Sequence, residues 1–258
     1  MRILCLGDSI MQYNDFSTFP QTGWVQELAR FFPDSTHWLN FARNGRSTKS
    51  FLSEGRFEMV LKEAQRGDFA LIQFAHNDEK SADATRYTSP QKDGEFRKNL
   101  SFFIQKLREK GVFSVLLTPI ARRMFKDGTI QNSHGDYPQA IIETAASEHV
   151  PCIDMTSLTM DFLSKTGFEK SQRFYMNFDA GLYDNFPDGR DDNSHLRPDG
   201  AYAFSKLCAH EIKKIAGQFS DYKVLSENCM SNCSGRFLEV GGENAEIDDE
   251  FLLTHAKV

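Results

Sequence analysis

Four short polar stretches, spread over most of the chain, carry residue types suited to acyl transfer. Gly7-Asp8-Ser9 sets a hydroxyl directly behind the first apolar run, and Asn44-Gly45 and His76-Asn77-Asp78 each follow a later one. Asp192-Asn193-Ser194-His195 places a carboxylate three residues before an imidazole. A serine attacks an ester when a neighbouring imidazole takes its proton, and the imidazole needs a carboxylate to fix its tautomer and stabilise its charged form. Ser9, His195 and Asp192 are the candidates for those three roles. The tetrahedral intermediate then needs donors aimed at its oxyanion. The backbone N–H groups of Ser9 and Gly45 and the side-chain amide of Asn77 are the candidate donors. Each piece has an ordinary use as well: Asp8 and Ser9 in a turn or cap, Asn44-Gly45 as a turn dipeptide, Asn77 as a helix cap, Asp-x-x-His in a solvated loop. Their order and their placement at strand ends set them apart.

The elements that must position these residues follow from apolar periodicity. Residues 3–6 form a short continuous apolar run closed by Gly7, the pattern of a strand buried on both faces of a parallel sheet. Residues 36–42, 69–75, 112–118 and 150–155 read as four more strands. Helical periods begin at Trp24 and recur over 57–64, 96–110, 137–149, 157–165 and 199–217. This alternation predicts an α/β class chain with one doubly wound domain, residues 1–218, around a parallel sheet. Ligands of such sheets bind at the carboxyl ends of the strands. Ser9, Gly45 and Asn77 are therefore expected at one edge, with a loop at 191–195 bringing Asp192 and His195. Residues 79–93 and 120–136 read as long loops, the second one basic, and 174–190 has no clear period. From 219 the chain turns to short polar segments with an acidic patch at 246–250, expected to form a C-terminal appendage, 219–258.

Composition narrows the function. A formal net charge of −6 with scattered Lys and Arg leaves no footprint for nucleic acid. No run of about 18 apolar residues is present to span a membrane. The amino terminus leads straight into a strand rather than a signal peptide. Cys5, Cys152, Cys208, Cys229 and Cys233 are too few and too dispersed for a disulfide framework, and Cys229 and Cys233 lack the paired spacing of a zinc site. The expectation is a cytoplasmic protein with reduced thiols, needing no metal or cofactor, whose partner is a small-molecule or oligosaccharide ester.

Taken together, Gly7-Asp8-Ser9, Gly45, His76-Asn77-Asp78 and Asp192-x-x-His195 resemble the four blocks of the SGNH (GDSL-type) hydrolases. Asn40-x-Ala42-x-x-Gly45-Arg46-Ser47-x-x-Ser50-Phe51, followed by Gly55-Arg56-Phe57-Glu58, is similar to the rhamnogalacturonan acetylesterases in particular. Gln73-Phe74-x-His76-Asn77-Asp78 and Thr118-Pro119-x-x-Arg122 strengthen that likeness, which spans residues 1–217. The resemblance implies a flavodoxin-like three-layer α/β/α fold with a five-stranded parallel sheet. It also implies Ser9 as nucleophile, His195 as base, Asp192 as its orienter, and Ser9, Gly45 and Asn77 as the oxyanion hole. The activity it implies is removal of acetyl groups from pectic, rhamnogalacturonan-type chains.

Two departures stand out. Ala75 replaces the glycine usual before His-Asn-Asp, a change expected to be mild. The family's secreted members begin with a signal peptide; its absence here points to short imported oligosaccharides as substrate. Arg122, in a basic stretch with Arg123 and Lys126, is the candidate cation for an anionic uronate, and Asp8 and His76 are further candidate substrate contacts. Three other readings use the same residues. Asp8, His76, Asp78, Asp192 and His195 could hold a divalent ion in a metal-dependent hydrolase. The chain could hydrolyse another small acyl ester, as an esterase or lipase-like enzyme. It could also be a non-catalytic sugar-binding protein, since fold does not establish function.

Overall fold

A computed structural model describes residues 1–231. The apolar runs form a five-stranded sheet: β1 (Arg2–Gly7), β2 (His37–Asn40), β3 (Phe69–Gln73), β4 (Phe113–Leu117) and, after a short hairpin of β5 (Phe125–Lys126) and β6 (Thr129–Ile130), β7 (Cys152–Ile153). The order is β2-β1-β3-β4-β7, and every pairing in it is parallel. This is the flavodoxin-like order, whose switch point lies between β1 and β3.

The central strands are apolar on both faces because helices cover both. Ile3, Cys5, Phe69, Leu71, Val115 and Leu117 point into one core, completed by α1 (Trp24–Leu28), α6 (Met155–Thr166), α8 (Pro198–Ile215) and α9 (Lys223–Asn228). Leu4, Leu6, Ala70, Ile72 and Leu116 point into the other, under α2 (Thr48–Ser53), α3 (Arg56–Glu63), α4 (Glu95–Glu109) and α5 (Tyr137–Glu148). On α4 the buried residues Phe96, Leu100, Phe103, Ile104 and Leu107 make one stripe at helical spacing. Phe103 meets Phe57 of α3 at 4.6 Å between ring centres. No helix among the described residues is long and apolar enough to cross a membrane.

Three stretches differ from the sequence reading. The loop expected over 120–136 holds the β5–β6 hairpin, turned by Asp127-Gly128 with φ of 50° and 75°. An Asp-Gly pair suits such a turn because both central residues need positive φ. The loop expected at 191–195 is instead part of β9 (Arg190–Leu196), antiparallel to β8 (Tyr175–Phe178) after the short α7 (Phe168–Ser171). All its residues but Leu196 are polar and exposed or half-buried, so no apolar pattern marks it. The third is the start of the expected appendage. Residues 219–231 pack on the first core, with Tyr222 and Leu225 buried and the Tyr222 hydroxyl donating to the Ser114 carbonyl at 2.7 Å. The remainder from 232, including Cys233 and the acidic patch at 246–250, lies outside the described residues.

Candidate active site

β1 delivers the chain to the carboxyl edge of the sheet at Gly7. A Cβ there would lie 2.7 Å from the Gln73 carbonyl oxygen, so the strand end admits only glycine. Asp8 then coils the chain. Its carbonyl accepts from the Met11 and Gln12 N–H groups at 3.3 and 3.1 Å, and its Oδ1 accepts from Ile10 N–H at 3.0 Å. Ser9 sits at the head of this turn with its Oγ 2.9 Å from His195 Nε2. His195 Nδ1 is 2.8 Å from Asp192 Oδ2, while Asp192 Oδ1 accepts the N–H groups of Ser194 and His195 at 2.9 and 3.1 Å.

The register of the β8–β9 ribbon explains how His195 is aimed. Met176 pairs with Asp192 and the next residue back, Tyr175, pairs with Leu196, so residues 193–195 bulge out of the ladder. Bulges of this kind turn side chains out of the strand's regular alternation. Burial alone would raise the Asp192 carboxyl, but the hydrogen bond and charge of His195 and the two N–H donors outweigh it and hold it well below the usual carboxylate range. With the ionised carboxylate taking Nδ1–H, the lone pair at Nε2 faces the serine hydroxyl.

The three expected oxyanion donors differ in what holds them. The backbone N–H groups of Ser9 and Gly45 donate to no described residue. Gly45 has φ of +78°, and a Cβ on it would meet only the Arg86 guanidinium, at 3.9 Å; backbone conformation, not space, selects glycine here. Asn77 donates one amide hydrogen to the Arg46 carbonyl at 3.1 Å, which fastens the turn after β3 to the Gly45 turn. Its second amide hydrogen remains for a ligand.

A profile of the GDSL-like lipase/acylhydrolase family matches residues 5–202, which takes in all four blocks. The chain belongs to this family. It is a carboxylic ester hydrolase of the GDSL type. The rhamnogalacturonan acetylesterase RhgT of Bacillus subtilis is 32% identical over 228 residues, covering 88% of this chain and 96% of the relative. The probable rhamnogalacturonan acetylesterase YesY of the same organism is 33% identical over 214 residues, covering 83% and 93%. Among solved structures, the YxiM protein of Bacillus subtilis superposes with a TM-score of 0.70 at 24% identity, over 84% of this chain and 57% of that one. The acetyl xylan esterase AlAXEase superposes with a TM-score of 0.58 at 17% identity, over 82% and 99%. The last two establish likeness of fold.

Of the residues expected to touch substrate in this GDSL hydrolase, Asp8 is fully buried and His76, at 5% exposed, is about as buried as Ser9 and Asn77. Their side chains face each other, Asp8 Oδ2 to His76 Nδ1 at 3.5 Å, and burial pushes the His76 imidazole down to about 4, leaving it neutral at pH 7. Arg122 is not a free cation. Its guanidinium pairs with Glu79 and donates to the Ser133 carbonyl and to Ser194 Oγ, next to His195, at 3.1 and 3.2 Å. Glu79 Oε2 also lies 3.0 Å from His134 Nδ1, and the His134 ring stands edge-on to His76 at 4.6 Å.

Glu79, His134 and Arg86 were not legible as site residues, since they sit in long stretches without period. The Ala75 substitution is not mild in its backbone. Its φ of +141° lies where only glycine is at ease, and such strain costs about 1–3 kcal/mol. No group of three or more His, Cys, Asp or Glu among the described residues is arranged to hold a metal ion.

Proposed function

We propose that this GDSL hydrolase removes acetyl groups from acetylated pectic oligosaccharides of the rhamnogalacturonan type through an acyl-enzyme on Ser9. The observation that carries the mechanism is the hydrogen-bonded row Ser9–His195–Asp192; the Ser9 and Gly45 N–H groups, with no partner among the described residues, support it. His195 Nε2 takes the Ser9 proton as Oγ bonds to the ester carbonyl carbon. The oxygen of that carbonyl becomes an oxyanion facing Ser9 N–H, Gly45 N–H and the Asn77 amide. His195 then gives its proton to the sugar oxygen, which leaves. Water, activated by the same imidazole, releases acetate and restores Ser9. Asp192 stays ionised throughout and stabilises the imidazolium.

The sugar class rests on the two Bacillus subtilis relatives, each aligned over most of both chains and named, in one case as probable, for rhamnogalacturonan deacetylation. Two measurements test the reading. A fluorophosphonate should label wild type at Ser9 and leave Ser9→Ala unlabelled. Acetate release should be faster on acetylated rhamnogalacturonan oligosaccharides than on acetylated xylo-oligosaccharides or on longer-chain 4-nitrophenyl esters. The reverse ranking would reject the pectic substrate.

A further inference from the structure

With Arg122 tied to Glu79, a cation to balance an anionic sugar must come from elsewhere at this edge, and Arg86 lies by Asn77 and Gly45. Its Nη1 is 3.5 Å from Asn77 Oδ1 and 3.9 Å from where a Cβ of Gly45 would stand, so its guanidinium borders two of the three oxyanion donors. The side chain is held in place rather than free. Nε donates to Asp83 Oδ2 at 2.6 Å, while Asp83 Oδ1 accepts both the N–H and the hydroxyl of Thr85, and the Asp83 carbonyl accepts Arg86 N–H at 3.0 Å. Both carboxyl oxygens of Asp83 are thereby occupied, and Arg86 Nη2 donates to no described residue. The side chain is 32% exposed, so that edge can meet a ligand.

Lys80 lies on the same turn as Asn77. Its backbone N–H donates to the Asn77 carbonyl at 3.3 Å, its side chain is exposed, and it forms no ion pair with a described residue. Partial burial and then the charges of Arg86 and Arg122 lower its pKa, while Asp8 and Glu79 act in the opposite direction. Of those carboxylates, Asp8 is sealed from solvent and Glu79 is bound to Arg122 and His134. Asp83 is partly exposed, but Arg86 Nε and Thr85 engage both its carboxyl oxygens, so the donor edges left open here are those of Arg86 Nη2 and the Lys80 ammonium.

We propose that Arg86 and Lys80 form an anion subsite adjoining the oxyanion donors, which binds the carboxylate of a uronic acid at or next to the esterified sugar. The planar guanidinium takes a carboxylate in a two-pronged bond and the ammonium adds a point charge. The subsite deepens the pectic acetylesterase reading and rests on it. It would let a chain of net charge −6 draw in an anionic ligand.

The test compares acetylated galacturonate-containing oligosaccharides with the same oligosaccharides after carboxyl reduction to neutral sugars. Because Arg86 also touches Asn77, the readout is the ratio of kcat/KM on the acidic to that on the neutral substrate, which cancels any general loss. Arg86→Gln should lower that ratio about tenfold, mainly through KM, the scale of one charge-assisted contact. Lys80→Gln should lower it about threefold, as expected of an exposed charge. Arg86→Lys should fall between wild type and Arg86→Gln, and high salt should shrink the wild-type ratio. A ratio unchanged in both glutamine variants would overturn the subsite. Failure of the pectic reading shows differently, as a wild type that ignores the pectic substrates. The subsite is then read by inhibition of 4-nitrophenyl acetate hydrolysis with galacturonate against galactose. Selective inhibition by galacturonate, weakened in Arg86→Gln, would sustain it; equal inhibition by the two sugars would reject it.

Discussion

An Asp192→Asn variant keeps the shape of the side chain and removes its charge, and the surrounding hydrogen bonds dictate which way the new amide turns. Two backbone donors, Ser194 N–H and His195 N–H, converge on Oδ1 against one exposed Arg190 guanidinium at 3.2 Å on Oδ2, so the amide oxygen stays at Oδ1. The amide nitrogen therefore faces His195 Nδ1, where the carboxylate oxygen stood at 2.8 Å. A donor at that position forces Nδ1 to accept, and the ring proton moves to Nε2, 2.9 Å from Ser9 Oγ. The imidazole then points a hydrogen at the hydroxyl whose proton it must take. The expected loss in kcat is about 10⁴, or roughly 5.4 kcal/mol at about 1.36 kcal/mol per tenfold. KM should change little, because no group that meets the substrate is altered. The assay is steady-state hydrolysis of 4-nitrophenyl acetate with parallel acetate release, alongside a melting curve to show that the fold is kept. A loss below tenfold in a folded variant would mean that Asp192 does not set the tautomer, and the proposed mechanism would fall with it.

Ser9→Ala and His195→Ala should each remove about 10⁴ or more of kcat, with the double variant no worse than either, since the pair acts as a unit; additive losses would refute that. Asn77→Ala should lower kcat by about 10²–10³ and leave KM nearly unchanged, and a loss confined to KM would make it a substrate-binding residue instead. Ala75→Gly relieves the +141° φ against glycine's entropy of about 0.5–1 kcal/mol and a buried methyl of about 0.8 kcal/mol. Against strain of about 1–3 kcal/mol, its unfolding free energy should lie between about 1 kcal/mol below and about 2 kcal/mol above wild type, and a fall of about 1.3 kcal/mol or more would show that no strain was stored. Stability should also carry two opposed pH dependences. The depressed Asp192 contributes stability above its unfolded pKa near 4 that is lost as pH falls through the folded value. Asp78, pushed up to about 7 by burial, contributes fully below pH 4 and loses that contribution as pH rises towards 7. Melting temperatures from pH 4 to 8 should therefore decline less in Asp78→Asn than in wild type, and parallel curves would reject the Asp78 assignment.

The sequence by itself determined the sheet and the residues delivered to its edge. A strand covered on both faces must be apolar throughout, so residues 3–6 and 69–72 had few other places to go. Parallel crossovers then send the chain out of every such strand at the same edge, which is why Ser9, Gly45 and Asn77 could be named as a set. Tertiary structure decided everything that depends on a distant partner. Ser9 and His195 are 186 positions apart, and only the bulged β8–β9 ribbon, invisible as an apolar pattern, brings them to 2.9 Å. Arg122 looked free because its partner Glu79 lies 43 positions earlier. Arg86 carried no signal because its neighbours at the site, Asn77 and Gly45, meet it only after the Gly45 and β3 turns are fastened together. Ala75 looked harmless because residue type says nothing about φ, which is imposed where the chain leaves β3 and fastens Asn77 to the Arg46 carbonyl. Periodicity records what a residue is buried against on average. Charge pairing, backbone strain and reach are properties of pairs that the chain separates and the fold reunites.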